Sequence, residues 1–325
     1  MKSVWKRIKK NFNIKSSKKR KHEAKENGEL LEILECDESV ILGSLWDNCT
    51  CGKNPGHADF TAVEDFTLSK LQLEIQEETV FDYIKAHEKL VVKIEVVKSE
   101  PEAGKKFATG YAWCMVERIE FPCPVSKCSH TPSDHGVFGG VIVYTNQHVV
   151  KDNTEAENST VYFTFGSETV KAFGVKLREN RDNKDLVGLE VCFHDPQLYK
   201  QVGGFAEDVA KAWNAIPVSA KEAFKQYAIV ISHPHGTEKV ISVGNLITLE
   251  EEEDLSKLSK NEVMQNESDS HGMRFNAERQ KVTRYSTATC PGSSGAPVLT
   301  GFYPHRPFTH SSYDPFRKQN LCKSY

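Results

Sequence analysis

From residue 90 onward the chain is written in short β-branched and aromatic segments separated by polar turns, and this rhythm restricts the fold severely. VVKIEVV, FATGYAWCMV, GGVIVYTNQHVV, STVYFTFGS, VKAFGVKL and DLVGLEVCF follow one another between Gly, Asn, Asp and Lys clusters. Apolar residues at period two make half-buried strands, and short strands at close spacing close into barrels or sandwiches. The rhythm breaks at residues 196–226, where AEDVAKAWNAI and SAKEAFKQ carry apolar residues at three- and four-residue spacing and read as helices. A second group of strands follows in YAIVISHPHG, KVISVGNLITLE, KVTRYSTAT and GAPVLTGFY. The charged stretch EEEDLSKLSKNEVMQNESDSHGMRFNAERQ interrupts it as a long exposed loop. The pattern predicts a mainly β protein: a first β unit over 88–195, a helical connector over 196–226 and a second β unit over 227–325. The tail SSYDPFRKQNLCKSY does not read as a strand pair, which would leave the second unit short of its final strands.

Two segments precede the β units. Residues 1–28 hold eleven Lys and Arg against two Glu, so a net charge of −3 conceals a basic head and a remainder near −12. Too few apolar residues stand in the head to offset the entropy of ordering it, and a mobile head is expected. KKRKH within it has the character of a nuclear-import or nucleic-acid contact, and VWKRIKKNF could lie on an anionic membrane surface as the weaker reading. The acidic remainder argues against nucleic-acid contact beyond the head. Residues 29–87 form an N-terminal extension to which the pattern assigns no fold. MKSVWKRIKKNF lacks the continuous apolar run of a signal peptide, and no apolar run reaches the length of a membrane span. These features point to an intracellular protein, cytoplasmic or nuclear. Its nine cysteines then read as reduced thiols or metal ligands, not a disulfide framework.

Breaking a peptide bond by acyl transfer needs a nucleophile, a base, a carboxylate that orients the base, and donors for the oxyanion. GSSGAP places Ser294 between glycines, where a sharp turn would bring the amides of Gly292 and Ser294 onto one point. TNQHVV places His148 at the end of a strand, and DLVGLEV places Asp185 at the start of another. With these residues and their order, the chain resembles the trypsin-like serine proteases of the chymotrypsin double-barrel superfamily. TNQHVV is similar to that family's histidine motif, DLVGLEV to its aspartate motif and PGSSGAPV to G-x-S-G-x-P. ATGYAW and ISHPHGTEKVISVGNL resemble its flanking segments. The nearest resemblance is to intracellular invertebrate trypsin-like proteins with CPGSSGAP and SHPHG motifs.

The resemblance implies two six-stranded barrels and a serine endopeptidase with His148 as base, Asp185 as orienting carboxylate and Ser294 as nucleophile. Gly292 and Ser294 would supply the oxyanion hole. Ser294 is chosen over Ser293 by its spacing to Gly295 and Pro297, and Asp182 and Asp195 are the rivals of Asp185. Ser293 stands where secreted trypsins hold an Asp that pairs with a newly cut N-terminus, so activation of that kind is not expected. Ala288 occupies the position that carries a counter-charge for Lys or Arg substrates in trypsins, and it has none. Thr289 and His310 resemble the Thr and His that receive Glu or Gln in picornaviral and glutamate-specific proteases, with His305 as a rival for the second role. Cleavage after Glu or Gln is therefore expected. The partner is a protein or peptide substrate, and no cofactor is called for. A catalytically inactive, protease-like module that binds peptides or a partner is the alternative. Cys123, Cys128, His130 and His135 could hold zinc, and Cys49, Cys51 and His57 form a sparser set.

Overall fold

The computed structural model describes residues 29–36, 44–45, 51–98, 104–116, 123–125, 128, 139–181, 185–251, 281–302 and 307–323. The basic head, the charged stretch beyond Glu251, and Cys49, Asp182, His130, His135 and His305 lie outside these residues.

The first barrel is built from β4 (Val91–Lys98), β5 (Gly104–Val116), β6 (Gly139–Thr145), β7 (Ser159–Phe165), β8 (Glu168–Arg181) and β9 (Leu186–Phe193). Its antiparallel order is β5-β4-β7-β8-β9-β6, and pairing of β5 with β6 closes it. Every residue of β9 is buried, as expected of a strand packed on both faces. Between β6 and β7 a short helix, α2 (Asn153–Glu157), is capped by the Asp152 side chain.

The second barrel contains β10 (Tyr227–Ser232), β11 (Val240–Glu251), β12 (Lys281–Tyr285), β13 (Pro297–Leu299), β14 (Phe308–Asp314) and β15 (Gln319–Lys323). Its order is β14-β13-β10-β11-β12-β15, closed by β14 on β15. The expected shortage of strands is therefore corrected. SSYDPFRKQNLCKSY supplies most of a hairpin, in which Ser312 pairs with Leu321 and Tyr313 with Asn320. DPFRK makes its turn, with Asp314 accepting from the amides of Phe316 and Arg317 and Lys318 at φ 54°. Turn residues rather than apolar alternation mark this hairpin, which explains why its strands do not stand out in the sequence.

Between the barrels run α3 (Pro196–Ala215) and α4 (Val218–Phe224). Asp195 caps α3 by accepting from the Gln197 amide at 2.8 Å, with Pro196 in the first turn. Asp195 is thus engaged in a helix cap.

The extension is not featureless. α1 (Glu78–Glu88) packs on α3, with Tyr83 edging onto Trp213 and Phe224. Three short strands from the extension dock on the barrels: β1 (Leu30–Leu31) on β14, β2 (Leu34–Cys36) on β5, and β3 (Thr61–Ala62) on β11. Lys239, just before β11, ties the parts together. It is buried and donates to the Glu88 carboxylate and carbonyl, both at 2.8 Å, and to Thr164 O of β7 at 3.2 Å. Removing one member of a buried ion pair strands the other's charge. Lys239→Met is expected to lower the unfolding free energy by about 3 kcal/mol in urea titration, and adding Glu88→Leu should recover part of that loss.

Candidate active site

Two loops of the first barrel and one of the second converge where the barrels meet. His148 lies in the turn after β6, in which the amides of Val149 and Val150 are bonded to Asn146 O. Asp185 stands immediately before β9 at φ 51°, a left-handed conformation that Asp adopts more readily than most non-glycine residues. Asn146 Nδ2 donates to Asp185 O at 2.9 Å and fixes that turn. His148 Nδ1 lies 2.9 Å from both Asp185 carboxylate oxygens, and the His148 amide donates to the same carboxylate at 3.1 Å. Ser311 Oγ adds a further donor to it at 2.7 Å. With Nδ1–H directed at Asp185, His148 Nε2 is an acceptor, and Ser294 Oγ lies 2.8 Å from it.

Ser293 takes the opposite direction. Its Oγ lies 3.2 Å from Ser232 Oγ and accepts from the Cys290 amide at 3.2 Å, inside the loop. Gly292 and Gly295 adopt φ +101° and +86°, open to glycine at no steric cost. A Cβ at Gly295 would stand 2.1 Å from Thr109 O, and one at Gly292 would stand 2.7 Å from His233 O. The loop must therefore be written with glycine at both places.

The amides of Gly292 and Ser294 do converge on one point, and an oxygen of this same chain occupies it. The Glu32 carbonyl accepts from Gly292 N at 2.6 Å and from Ser294 N at 3.2 Å. Before Glu32, Leu30 and Leu31 pair antiparallel with Tyr313 and Ser312 of β14; after it, Leu34 to Cys36 pair with β5. An extended segment of the extension thus runs through the cleft with strand contacts on both sides of the two amides.

Glu32 is buried, its side chain only 3% exposed. Its carboxylate receives His310 Nε2 at 2.7 Å and Lys53 Nζ at 2.5 Å. Burial alone would raise its pKa, but Lys53 and His310 outweigh burial and hold it down at about 2. Burial pushes the His310 imidazole below its usual range, against the pull of Glu32. Tyr285 OH lies 2.6 Å from His310 Nδ1, and burial keeps that phenol protonated by raising its pKa well above the ordinary value. Tyr285 therefore donates to Nδ1 and leaves Nε2–H to donate to the carboxylate.

His310 thus meets a Glu carboxylate, whereas Thr289 contributes at one remove. Its hydroxyl accepts from Lys53 Nζ at 2.7 Å, as does Asn320 Oδ1 at the same distance. Lys53 also lies over the Tyr313 ring, 3.9 Å from its centroid. Sequence reasoning did not select Lys53, which sits in the extension far from any motif. Ala288 packs among Leu45, Cys51, Phe60, Val240 and Cys290 beneath the loop. In the segment before β6, Cys123 and Cys128 face His194 Nε2 at 3.1 and 3.5 Å, and sequence reasoning had not included His194 in that set.

The family described as "Trypsin-like peptidase domain" matches residues 133–301, just over half the chain. That stretch contains His148, Asp185 and Ser294 and excludes Glu32, Lys53 and His310. No curated protein matches in sequence. Among solved structures, the active form of the Rv3671c protease from M. tuberculosis is 16% identical, with 74% of this chain and 78% of that chain covered and a TM-score of 0.40. The HtrA-type protease AlgW with tripeptide is 10% identical, with 75% of this chain and 59% of that one covered and a TM-score of 0.38. Likenesses this distant say nothing about substrate or activity.

Proposed function

Because the chain belongs to the trypsin-like peptidase family, we propose that it is a serine endopeptidase that cleaves after glutamate through Ser294, His148 and Asp185. In this mechanism His148 Nε2 takes the Ser294 hydroxyl proton as Oγ attacks the scissile carbonyl. Asp185 holds the imidazole tautomer and stabilises the imidazolium. The amides of Gly292 and Ser294 receive the charge that develops on the carbonyl oxygen. The proton then passes to the leaving amine, and water hydrolyses the acyl-enzyme with His148 again as base. The resemblance to intracellular invertebrate trypsin-like proteins accords with this reading.

The observation that carries the specificity is Glu32. Its carbonyl accepts from both amides while its carboxylate lies between Lys53 and His310. A pocket with a partly buried ammonium and a directed imidazole N–H would be left unpaired by an apolar substrate, and the ammonium would lack its counter-charge with Gln. Glu is therefore favoured over Gln, and Lys or Arg is excluded by Lys53.

A peptide library varied at the residue before the scissile bond tests this. Cleavage after Glu is expected, absent in Ser294→Ala. His310→Ala should lower kcat/KM on Glu peptides by roughly a hundredfold, and Lys53→Met should in addition narrow the gap between Glu and Gln. A preference for Lys, Arg or aromatic residues, or a Glu preference that survives both substitutions, contradicts the assignment. Peptides bound but released intact would favour the non-catalytic alternative.

A further inference from the structure

Beneath the nucleophile loop, four side chains that no catalytic step uses face one another. Cys51, His57, His235 and Cys290 are all buried, and one ligand atom from each lies within 4.8 Å of every other. Cys51 Sγ and Cys290 Sγ are 3.5 Å apart, and His57 Nε2 and His235 Nε2 are 3.2 Å apart. A disulfide would bring the sulfurs to about 2.05 Å. The corners of a tetrahedron around zinc, with bonds of about 2.3 Å to sulfur and 2.0–2.1 Å to nitrogen, stand about 3.8 Å apart for sulfur pairs and about 3.3 Å for nitrogen pairs. The observed spacings are close to those.

The backbone is shaped to the same end. His57 and His235 both adopt left-handed φ, 53° and 55°, in Pro-Gly-His and Pro-His-Gly turns. That conformation is uncommon outside glycine, although histidine enters it more readily than most residues. Asn54 Nδ2 lies 3.2 Å from Cys290 Sγ and donates to Thr289 O at 2.6 Å, the kind of outer contact that orients a ligating thiolate.

We propose that Cys51, His57, His235 and Cys290 form a structural zinc site that fastens the N-terminal extension to the nucleophile loop. All four positions come from protein, leaving none for substrate or water, so the metal acts on architecture and not on chemistry. It holds Cys51 two residues from Lys53, and Cys290 four residues from Ser294. The site thereby sets the depth at which Lys53 enters the glutamate pocket.

Protein purified without chelator is expected to carry about one zinc per chain by elemental analysis. Cobalt-exchanged protein should show the intense visible bands of tetrahedral thiolate ligation, and its melting midpoint should fall on chelation. Cys51→Ser and Cys290→Ser should lose the metal, while Cys123→Ser, in the other thiol cluster, keeps it. Should the two serine variants fail to fold, the cobalt spectrum of the Cys123→Ser/Cys128→Ser protein, in which the other thiol cluster is removed, decides. No bound metal and no thiolate–cobalt bands, a Cys51–Cys290 disulfide in its place, or metal retained in Cys51→Ser and Cys290→Ser overturns the proposal.

The segment lying in the cleft carries a second inference, which rests on the glutamate-specific protease reading. The Glu32 carbonyl already accepts from both oxyanion amides, its side chain fills the glutamate pocket, and the chain is strand-paired on either side. We infer that the Glu32–Ile33 bond is the enzyme's own intramolecular substrate. Ser294 Oγ adds to the Glu32 carbonyl carbon and gives its proton to His148. The C–N bond breaks as His148 returns the proton to the Ile33 amine, and water then frees the Glu32 carboxylate. Holding the bond in the cleft replaces a bimolecular encounter, so processing in cis is favoured.

Denaturing intact-mass measurement of the full chain should find fragments 1–32 and 33–325. They should form at a rate independent of protein concentration, with Ser294→Ala remaining whole and Glu32→Ala slowed at least tenfold. An enzyme that cuts glutamyl peptides in trans but keeps Glu32–Ile33 intact overturns this inference alone. A chain that cuts neither overturns the protease reading with it.

Discussion

Two backbone amides, those of Gly292 and Ser294, can point at one oxygen only while the loop between Cys290 and Ala296 is held in a shape that side chains would forbid. Much of the surrounding structure serves that constraint. The Ser293 amide donates to Cys290 O at 2.9 Å and closes the turn. The His235 amide donates to Pro291 O at 2.5 Å. From the first barrel, Thr109 of β5 reaches across: its hydroxyl donates to Gly292 O at 2.8 Å and accepts from the His233 amide at 3.0 Å, and its amide donates to Ser294 O at 2.9 Å. Thr145 Oγ1 in turn donates to Thr109 O. The nucleophile loop is thus clamped between the barrels, and the barrels dock in a register that brings His148 to Ser294. Donors fixed before a reaction need no reorganisation during it, which is where such a site gains its effect.

The extension completes what the barrels leave open. It supplies Glu32, whose carboxylate lies beside His310, Lys53 as the cation paired with that carboxylate, and α1 as a wall against α3. Lys53 is held by Thr289, Asn320 and the Tyr313 ring, and burial lowers its pKa even against the pull of the Glu32 carboxylate. On the proposed reading, specificity resides in a segment outside the matched family region, whereas His148, Asp185 and Ser294 lie inside it.

The double-barrel architecture was legible because short alternating strands and the motifs around His148, Asp185 and Ser294 are local signals. His310 was singled out by the resemblance to proteases that receive Glu or Gln, and the structure sets its Nε2 2.7 Å from the Glu32 carboxylate. Lys53 and Glu32 were not, since a lone Lys in CGKNPGH and a lone Glu in LLEILE acquire meaning only when the chain folds back over more than two hundred residues. The β14–β15 hairpin was obscured by its turn, whose polar and charged residues break the alternation on which strand reading depends. The cluster of Cys51, His57, His235 and Cys290 was half visible, because two members stand near one another in sequence and the other two lie within motifs read for a different purpose.

The claim on which the account rests is that Ser294 is activated by His148. Intact-protein mass spectrometry after exposure to a fluorophosphonate measures this directly, because the reagent reacts with a serine only where a working base and oxyanion hole are in place. The account predicts one adduct, mapped to Ser294, and a labelling rate at least about a thousandfold lower in a folded His148→Ala protein. Labelling of a different serine, or undiminished labelling of His148→Ala, would contradict it.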